Sequence, residues 1–266
     1  MFKALRSILA PRPEAQRAAI PAGQRVYAVG DIHGRLDLMV SLAEAIERDD
    51  RKRGPADTTV ILLGDLVDRG PDSAGVITAA RMWAQQRRVR FIAGNHEEML
   101  LESFDSLDTL RHFIKYGGKE TLLSYPIDPE AYTAAGIDEL QALMRAAVPQ
   151  ADIDFLSGFE DMIRIGDYAF VHAGIHPDLP LDEQRTSQLR WIREPFLSFG
   201  GDHGAVIVHG HSITDEAQVL GNRIGIDTGA YQSGRLTALG LEGSTRWLIE
   251  TAERDGDVAT RVRPAE

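Results

Sequence analysis

The chain has 266 residues, with 29 Lys and Arg against 40 Asp and Glu, a formal net charge of -11 and no cysteine. The missing cysteine excludes disulfides, thiolate-ligated zinc or iron–sulfur centres and a thiolate nucleophile. The acidic balance argues against a broad grip on nucleic acid or anionic lipid, and 43% hydrophobic with 26% charged residues is the composition of one globular domain with embellishments.

Residues 1–22 are expected to form a flexible basic tail. Phe2, Leu5, Ile8 and Leu9 fall at helical spacing beside Lys3, Arg6 and Arg12, a pattern that leaves contact with a membrane or partner open. Its apolar run is too short for a secretory core, Pro11 and Pro13 end it, and no stretch approaches the ~20 apolar residues that span a bilayer. The cytoplasm is therefore the expected location. Apolar runs of strand length follow at 25–29, 59–63, 89–92, 168–171 and 205–208. The first three alternate with amphipathic helical segments at 36–48 and 73–86, the pattern of a parallel sheet with helical crossovers. Residues 97–158 read as a helical insertion, with Met99, Leu100, Phe113, Leu122, Leu140 and Met144 at irregular helical spacing among glycines and prolines. After residue 168, short strands and turns at Gly221-Asn222, Asp227-Thr228-Gly229 and Gly234 predict a second sheet built of hairpins. The polar residues 252–266 are expected as a loose tail.

Each apolar run ends in a polar cluster. The first leads into Gly30-Asp31-Ile32-His33-Gly34, the second into Gly64-Asp65-Leu66-Val67-Asp68-Arg69-Gly70, and the third into Gly94-Asn95-His96-Glu97. The later runs lead into His172-Ala173-Gly174 and His209-Gly210-His211. Loops beyond the carboxyl ends of strands are where ligands bind in open α/β sheets, so these clusters should converge. Asp31, His33, Asp65, Asn95, His172 and His211 form a set of oxygen and imidazole donors without sulfur. That set suits two ions such as Mn²⁺, Fe or Zn²⁺, with Asp65 as the shared carboxylate. Two ions ~3.5–4 Å apart would polarise a phosphoryl oxygen and bring a water pKa toward ~7. Arg69 has the planar fork that chelates phosphate, and His96 is the natural general acid, with Asp68 placed to hold its other ring nitrogen.

The three glycine-bounded motifs G-D-x-H-G, G-D-x-V-D-R-G and G-N-H-E, complete and in order, resemble the signature of the phosphoprotein phosphatase family within the calcineurin-like metallophosphoesterases, over about residues 25–240. The resemblance implies an α/β fold, a four-layer α/β/β/α sandwich of two mixed sheets with a small helical insertion, in a domain spanning 23–251. It also implies a dinuclear metal centre, most simply two Mn²⁺, and single-step hydrolysis of phosphate esters by a hydroxide held between the ions. By the family pattern, Asp31, His33 and Asp65 hold one metal, and Asp65, Asn95, His172 and His211 hold the other. Asn95 also reaches the phosphate, and His96 and Asp68 take the proton-transfer roles. Many metallophosphoesterases end in G-H-x-H, whereas Gly210-His211-Ser212-Ile213 keeps only the first histidine, as the phosphoprotein phosphatase branch does. Arg193 matches the second phosphate-binding arginine of the short bacterial and phage forms, with Arg190 as its competitor.

The expected substrate is a phosphoserine or phosphothreonine protein, with phosphotyrosine and small aryl phosphates open and nucleic acid excluded. The alternative is symmetrical hydrolysis of diadenosine tetraphosphate, by an enzyme that resembles this chain in the same motifs but typically lacks the second-motif aspartate, so Asp68 and Glu97 favour the phosphatase. A non-catalytic binding module would be expected to have lost ligands or the acid, and here the set is intact. Other polar residues have simpler readings. His112, His176 and His203 are expected at the surface or in turns, and His209 as buried support rather than a ligand. Asp37 and Asp72 read as helix caps or dipole partners, Glu97 and Glu98 as residues favouring a helix start, and Arg87, Arg88 and Arg90 as a solvated run. Trp191 and Phe196 are expected in the core, and Tyr231 is left out of the site set.

Overall fold

The computed structural model describes residues 17–265. Strand β1 (Gln24–Val29) is followed by α1 (Leu36–Arg53), β2 (Asp57–Leu62), α2 (Ser73–Gln86) and β3 (Val89–Phe91). The three strands are parallel, with Val26 opposite Thr59, Val29 opposite Leu62 and Leu62 opposite Phe91, so their carboxyl ends finish side by side. Alternation along each strand serves two layers, because successive side chains point to opposite faces. Tyr27, Val29, Val60 and Leu62 face the helices, while Val26, Ala28 and Ile61 face the second sheet. Helix α1 lays Leu38, Leu42, Ala45 and Ile46 on the outer face of the sheet, and α2 lays Val76, Ile77, Ala80 and Trp83 there, spacings that make one apolar stripe. Asp72 caps α2 by accepting the Gly75 N–H at 2.8 Å, whereas Asp37 pairs with Arg35 instead.

The expected helical segment is helical: α3 (Asn95–Ser103), α4 (Leu107–Phe113), a π-turn at Ile114–Gly118, α5 (Lys119–Ser124), α6 (Pro129–Ala134), α7 (Ile137–Ala147) and α8 (Gln150–Ser157). Its apolar faces, with Leu110, Phe113, Leu122, Leu140 and Met144, extend the helix-side core. Then come β4 (Met162–Ile165), β5 (Tyr168–Val171), α9 (Thr186–Trp191), β6 (Val206–His209), β7 (Gln218–Val219), β8 (Arg223–Gly225), α10 (Ala230–Ser233), β9 (Arg235–Glu242), β10 (Thr245–Arg254) and β11 (Asp257–Pro264).

The second sheet has the order β4-β5-β6-β8-β7, and the first β11-β10-β9-β1-β2-β3. Tyr168, Phe170, Val206 and Val208 meet the first sheet, and Ala169, Val171 and Ile207 meet an outer layer with Leu189 and Phe196. Three cores separate four layers, so the chain is the expected α/β/β/α sandwich of two mixed sheets.

Three expectations change. The second sheet is not a set of hairpins: β5, β6 and β8 are parallel, and the β9–β11 meander instead joins the first sheet through β1 and β9. Residues 252–264 are not loose, because β11 pairs along β10, and Arg261 and Arg263 clamp Glu250. Residues 17–22 belong to the body, since Ile20 is buried and its N–H donates to Gly243 O at 2.9 Å. The amphipathic pattern at 2–12 lies outside the described residues. Among those described, no helix is long and apolar enough to cross a membrane.

Candidate metal centre

Both sheets deliver loops to one edge. The β1, β2 and β3 loops carry Asp31, His33, Asp65, Asp68, Arg69, Asn95 and His96, while the ends of β5 and β6 carry His172 and His211. Six non-glycine residues among those described have positive φ, and five of them are His33, Asp65, Asp68, Arg69 and His211. A left-handed conformation costs a side-chain-bearing residue about 1–3 kcal/mol and persists only where its surroundings hold it, so its concentration here marks an imposed geometry. The loops are tied to one another by backbone bonds. Ile32 and His33 N–H donate to Asp65 O at 3.1 and 2.9 Å, and Gly34 N–H donates to Leu66 O at 2.9 Å. Glu97, fully buried, accepts N–H bonds from Asp65, Leu66 and Gly94 at 2.8, 2.7 and 2.9 Å, joining the second loop to the third. The Gly94 bond is the local helix-start role expected of Glu97; the bonds from Asp65 and Leu66 come from a loop about 30 residues away that no local pattern matches to it.

Asp65 sits at the centre. Its Oδ2 lies 3.6 Å from His33 Nε2 and 3.9 Å from His96 Nε2, and its Oδ1 lies 3.4 Å from His172 Nε2. Two trios of ligand atoms close enough to hold an ion share this carboxylate: His33, Asp65 and His96 on one side, and Asp65, His172 and His211 on the other. His33 Nδ1 meets Val67 O and His172 Nδ1 meets Leu63 O, both at 2.8 Å. A carbonyl only accepts, so each Nδ1 carries the proton and each Nε2 turns a lone pair inward. His172 Nε2 thereby faces Asn95 Oδ1 at 3.0 Å as well as Asp65. Asp31 Oδ1 and His211 Nε2 are buried with no partner, while Asp31 Oδ2 accepts the His211 N–H at 2.9 Å. Converging acceptors and orphaned buried atoms are what cations satisfy, so these residues fit a pair of divalent ions.

The electrostatics agree. Burial, with Asp227 and Asp65 adding to it, pushes the Asp31 carboxyl well above its ordinary range. Burial would lower His172, but the Asp65 charge more than reverses that, so the imidazole sits above its ordinary value. The pocket thus favours added positive charge. His211 is driven the other way, to about 3, by burial and by the neighbouring His172, which leaves it neutral and able to ligate.

Beside this centre, His96 Nδ1 and Asp68 Oδ2 are 2.6 Å apart, and the Arg69 guanidinium donates to His33 Nε2 at 2.7 Å and lies 2.9 Å from His96 Nε2. A cavity of about 440 Å³ opens over them, with Asn95 and Arg193 on its wall. Arg190 is engaged elsewhere, pairing with Glu98 and Asp161 at 3.2 and 2.7 Å. Tyr231 lies edge-on to His33, with ring centroids 5.3 Å apart and the Arg69 guanidinium over its face. All the predicted site residues therefore gather at one edge.

Several simpler readings change. Trp191 is not core: it is 41% exposed on the cavity wall, its indole N–H donating to Glu98; His112 is exposed as expected and, with Tyr116, lines the same cavity. Arg87 and Arg90 are paired with Glu47, Asp50 and Glu160 rather than free in solvent. His209 is buried against Phe196, with burial pushing it down to about 4, and Phe196 is core as expected.

This arrangement has counterparts. Residues 24–233 match the pattern of the calcineurin-like phosphoesterase family. The asymmetrical bis(5'-nucleosyl)-tetraphosphatase PrpE of Bacillus velezensis is 26% identical over 79% of this chain and 86% of its own length. Serine/threonine-protein phosphatase 2 of Escherichia coli strain K12 is 28% identical over 80% of this chain and 91% of its own. The crystal structure of a cold-active protein-tyrosine phosphatase of a psychrophilic Shewanella superposes with a TM-score of 0.54 at 19% identity, covering 94% of this chain and 87% of that one. A sandwich whose two sheets bring paired carboxylate–imidazole groups to one edge, in a chain matched across most of its length, belongs to the calcineurin-like phosphoesterase family and is a metal-dependent phosphoric ester hydrolase.

Proposed function

We propose that the protein is a cytoplasmic phosphoprotein phosphatase that hydrolyses phosphoserine and phosphothreonine esters. Asp31, His33 and Asp65 would hold one divalent ion, and Asp65, Asn95, His172 and His211 the other, with Mn²⁺ as the ion best suited to this sulfur-free set. Bound there, the ions supply Lewis-acid polarisation of a phosphoryl oxygen and an activated water. Arg69, Arg193 and the Asn95 amide orient the phosphoryl group, a task for which the guanidinium forks are pre-shaped. The observation that carries the reading is the 2.6 Å contact of His96 with Asp68. As the ester P–O bond breaks, its electron pair goes to the leaving oxygen, and His96 Nε2 passes that oxygen a proton. Asp68 fixes the ring with Nδ1 toward it, and although burial would lower His96, Asp65 and Asp68 hold it above its ordinary value. An alkoxide from serine or threonine is a basic leaving group that needs this proton; the phosphate leaving group of a dinucleoside tetraphosphate needs it less.

The relatives support a second reading, since besides the asymmetrical enzyme named above they include a symmetrical bis(5'-nucleosyl)-tetraphosphatase of Klebsiella pneumoniae, 27% identical over 58% of this chain and 56% of its own length. Trp191 and Tyr116 offer exposed aromatic rings on the same cavity, suited to stacking a base. In that reading the substrate is diadenosine tetraphosphate, cleaved symmetrically. The test reconstitutes metal-free enzyme with Mn²⁺ and compares kcat/KM on a phosphoserine/phosphothreonine peptide and on diadenosine tetraphosphate. A preference for the peptide is expected. A preference for the dinucleotide establishes the second reading, and no metal-dependent turnover of either overturns both.

A further inference from the structure

We propose that Thr121, on α5 of the helical insertion, is the positioning residue for the Asp68–His96 pair, so that the insertion sets the acid of the reaction. The inference rests on the reading of His96 as the group that protonates the leaving oxygen. Thr121 has no exposed surface, and its hydroxyl makes both bonds open to it at Asp68: Oγ1 donates to Asp68 Oδ1 at 2.6 Å and accepts the Asp68 N–H at 2.8 Å. The direction is fixed because a carboxylate only accepts and an N–H only donates. Ser73 Oγ, 2.9 Å from Thr121 Oγ1, shares the Asp68 N–H at 3.0 Å.

With Oδ1 taken by Thr121, Oδ2 is the oxygen left for His96 Nδ1. The carboxylate cannot rotate without giving up a buried bond. Its backbone is held as well. Asp68 and Arg69 have φ of 74° and 68°, a strained conformation for side-chain-bearing residues. The Arg69 N–H donates to Gly117 O at 3.0 Å, from the kinked turn just before α5. A side chain at Gly117, whose φ is 113°, would meet Arg69 Cγ at 2.6 Å. Residues 117–121 thus fix both the dyad carboxylate and the start of the phosphate clamp, from a segment about 50 positions away in sequence, as the separation of 53 between Asp68 and Thr121 records.

The test uses full-length, Mn²⁺-loaded enzyme carrying T121V, which keeps the shape and removes the hydroxyl. A misplaced acid hurts esters of basic alkoxides more than esters of acidic phenols. T121V is therefore expected to lower kcat/KM for a phosphoserine peptide about 10-fold more than for p-nitrophenyl phosphate, a part of the roughly 100- to 10,000-fold a general acid contributes, since the acid is misplaced and not removed. T121S should restore the wild-type ratio. Mn²⁺ affinity by calorimetry should stay near wild type, while loss of the buried hydrogen bond should lower the melting temperature of T121V by only a few degrees, leaving it folded at the assay temperature. An equal loss on both substrates, a loss that tracks weakened Mn²⁺ binding, or no loss at all overturns the inference. H96N separates the two claims. If it shows the selective loss and T121V does not, Thr121 alone is wrong; if H96N leaves the substrate ratio unchanged, the acid assignment fails and the inference fails with it.

Discussion

Gly94 has no room for a methyl group. A Cβ there would lie 2.1 Å from Asp65 Oδ1 and 2.5 Å from Asp65 N, and at Gly210 it would lie 2.0 Å from Asp31 Oδ1. Both glycines let backbone pass directly against a carboxylate, so the clash falls on the groups proposed to hold metal rather than on a movable side chain. G94A should lower Mn²⁺ affinity by about 10–100-fold, the range seen when groups supporting a ligand are disturbed. Titration calorimetry reads this directly, and an unchanged affinity would remove Asp65 as the shared ligand. The same scale explains why the tie of Glu97 to the second loop is not legible in the sequence. A glutamate three residues into a helix start looks like a cap, and only the path of the second loop shows that its carboxylate also holds Asp65 and Leu66 N–H.

At the scale of elements, β11 has polar character yet is ordered, because Glu250 on β10 receives Arg261 and Arg263 across the strand pair. Burial would raise the Glu250 carboxyl, but hydrogen bonds from Arg263 and Arg261 more than reverse this and hold it below its ordinary value of 4.5. A group whose folded pKa is depressed contributes stability above its unfolded pKa and loses it as pH falls through the folded value. E250Q should therefore melt roughly 2–4 °C lower than wild type at neutral pH. The difference should close as the pH falls through the depressed folded value, below the ordinary 4.5, where the wild-type carboxylate is also neutralised. Melting curves from neutral to acid pH check this, and a gap that widens in acid would show that the ion pairs do not hold β11. The β9–β11 meander itself was misplaced by sequence reading for a related reason: turn signals announce hairpins but carry no information about which sheet a hairpin joins.

For the whole molecule, the decisive feature is that the two sheets meet with their carboxyl edges together, so donors from β1, β2, β3, β5 and β6 surround one point. The larger groove of about 600 Å³ between α1 and α2, with Val40 and Met82 exposed, has no histidine or aspartate on its wall. Because buried acceptors from both sheets converge on the centre, metal removal should be felt globally as well as chemically. Chelation should abolish hydrolysis and lower the melting temperature, and Mn²⁺ at 100 times its Kd should restore about 2.7 kcal/mol of stability. An apoprotein that melts at the same temperature with and without Mn²⁺ would contradict a centre that links the sheets.

What the sequence determined by itself was local and repeated. Apolar runs ending in Gly-Asp, Gly-Asp and Gly-Asn placed Asp31, Asp65 and Asn95 at strand ends, and parallel strands with helical crossovers follow from the alternation around them. These features are legible because period and punctuation act over a few residues. The tertiary structure decided everything that depends on a distant partner. It put Trp191 on the cavity wall and Arg190 into an ion pair, carried residues 252–264 into the first sheet, and set Thr121 against Asp68. A threonine hydroxyl or an indole N–H reads the same in any helix; its role is fixed only when packing removes it from water and leaves one partner within reach.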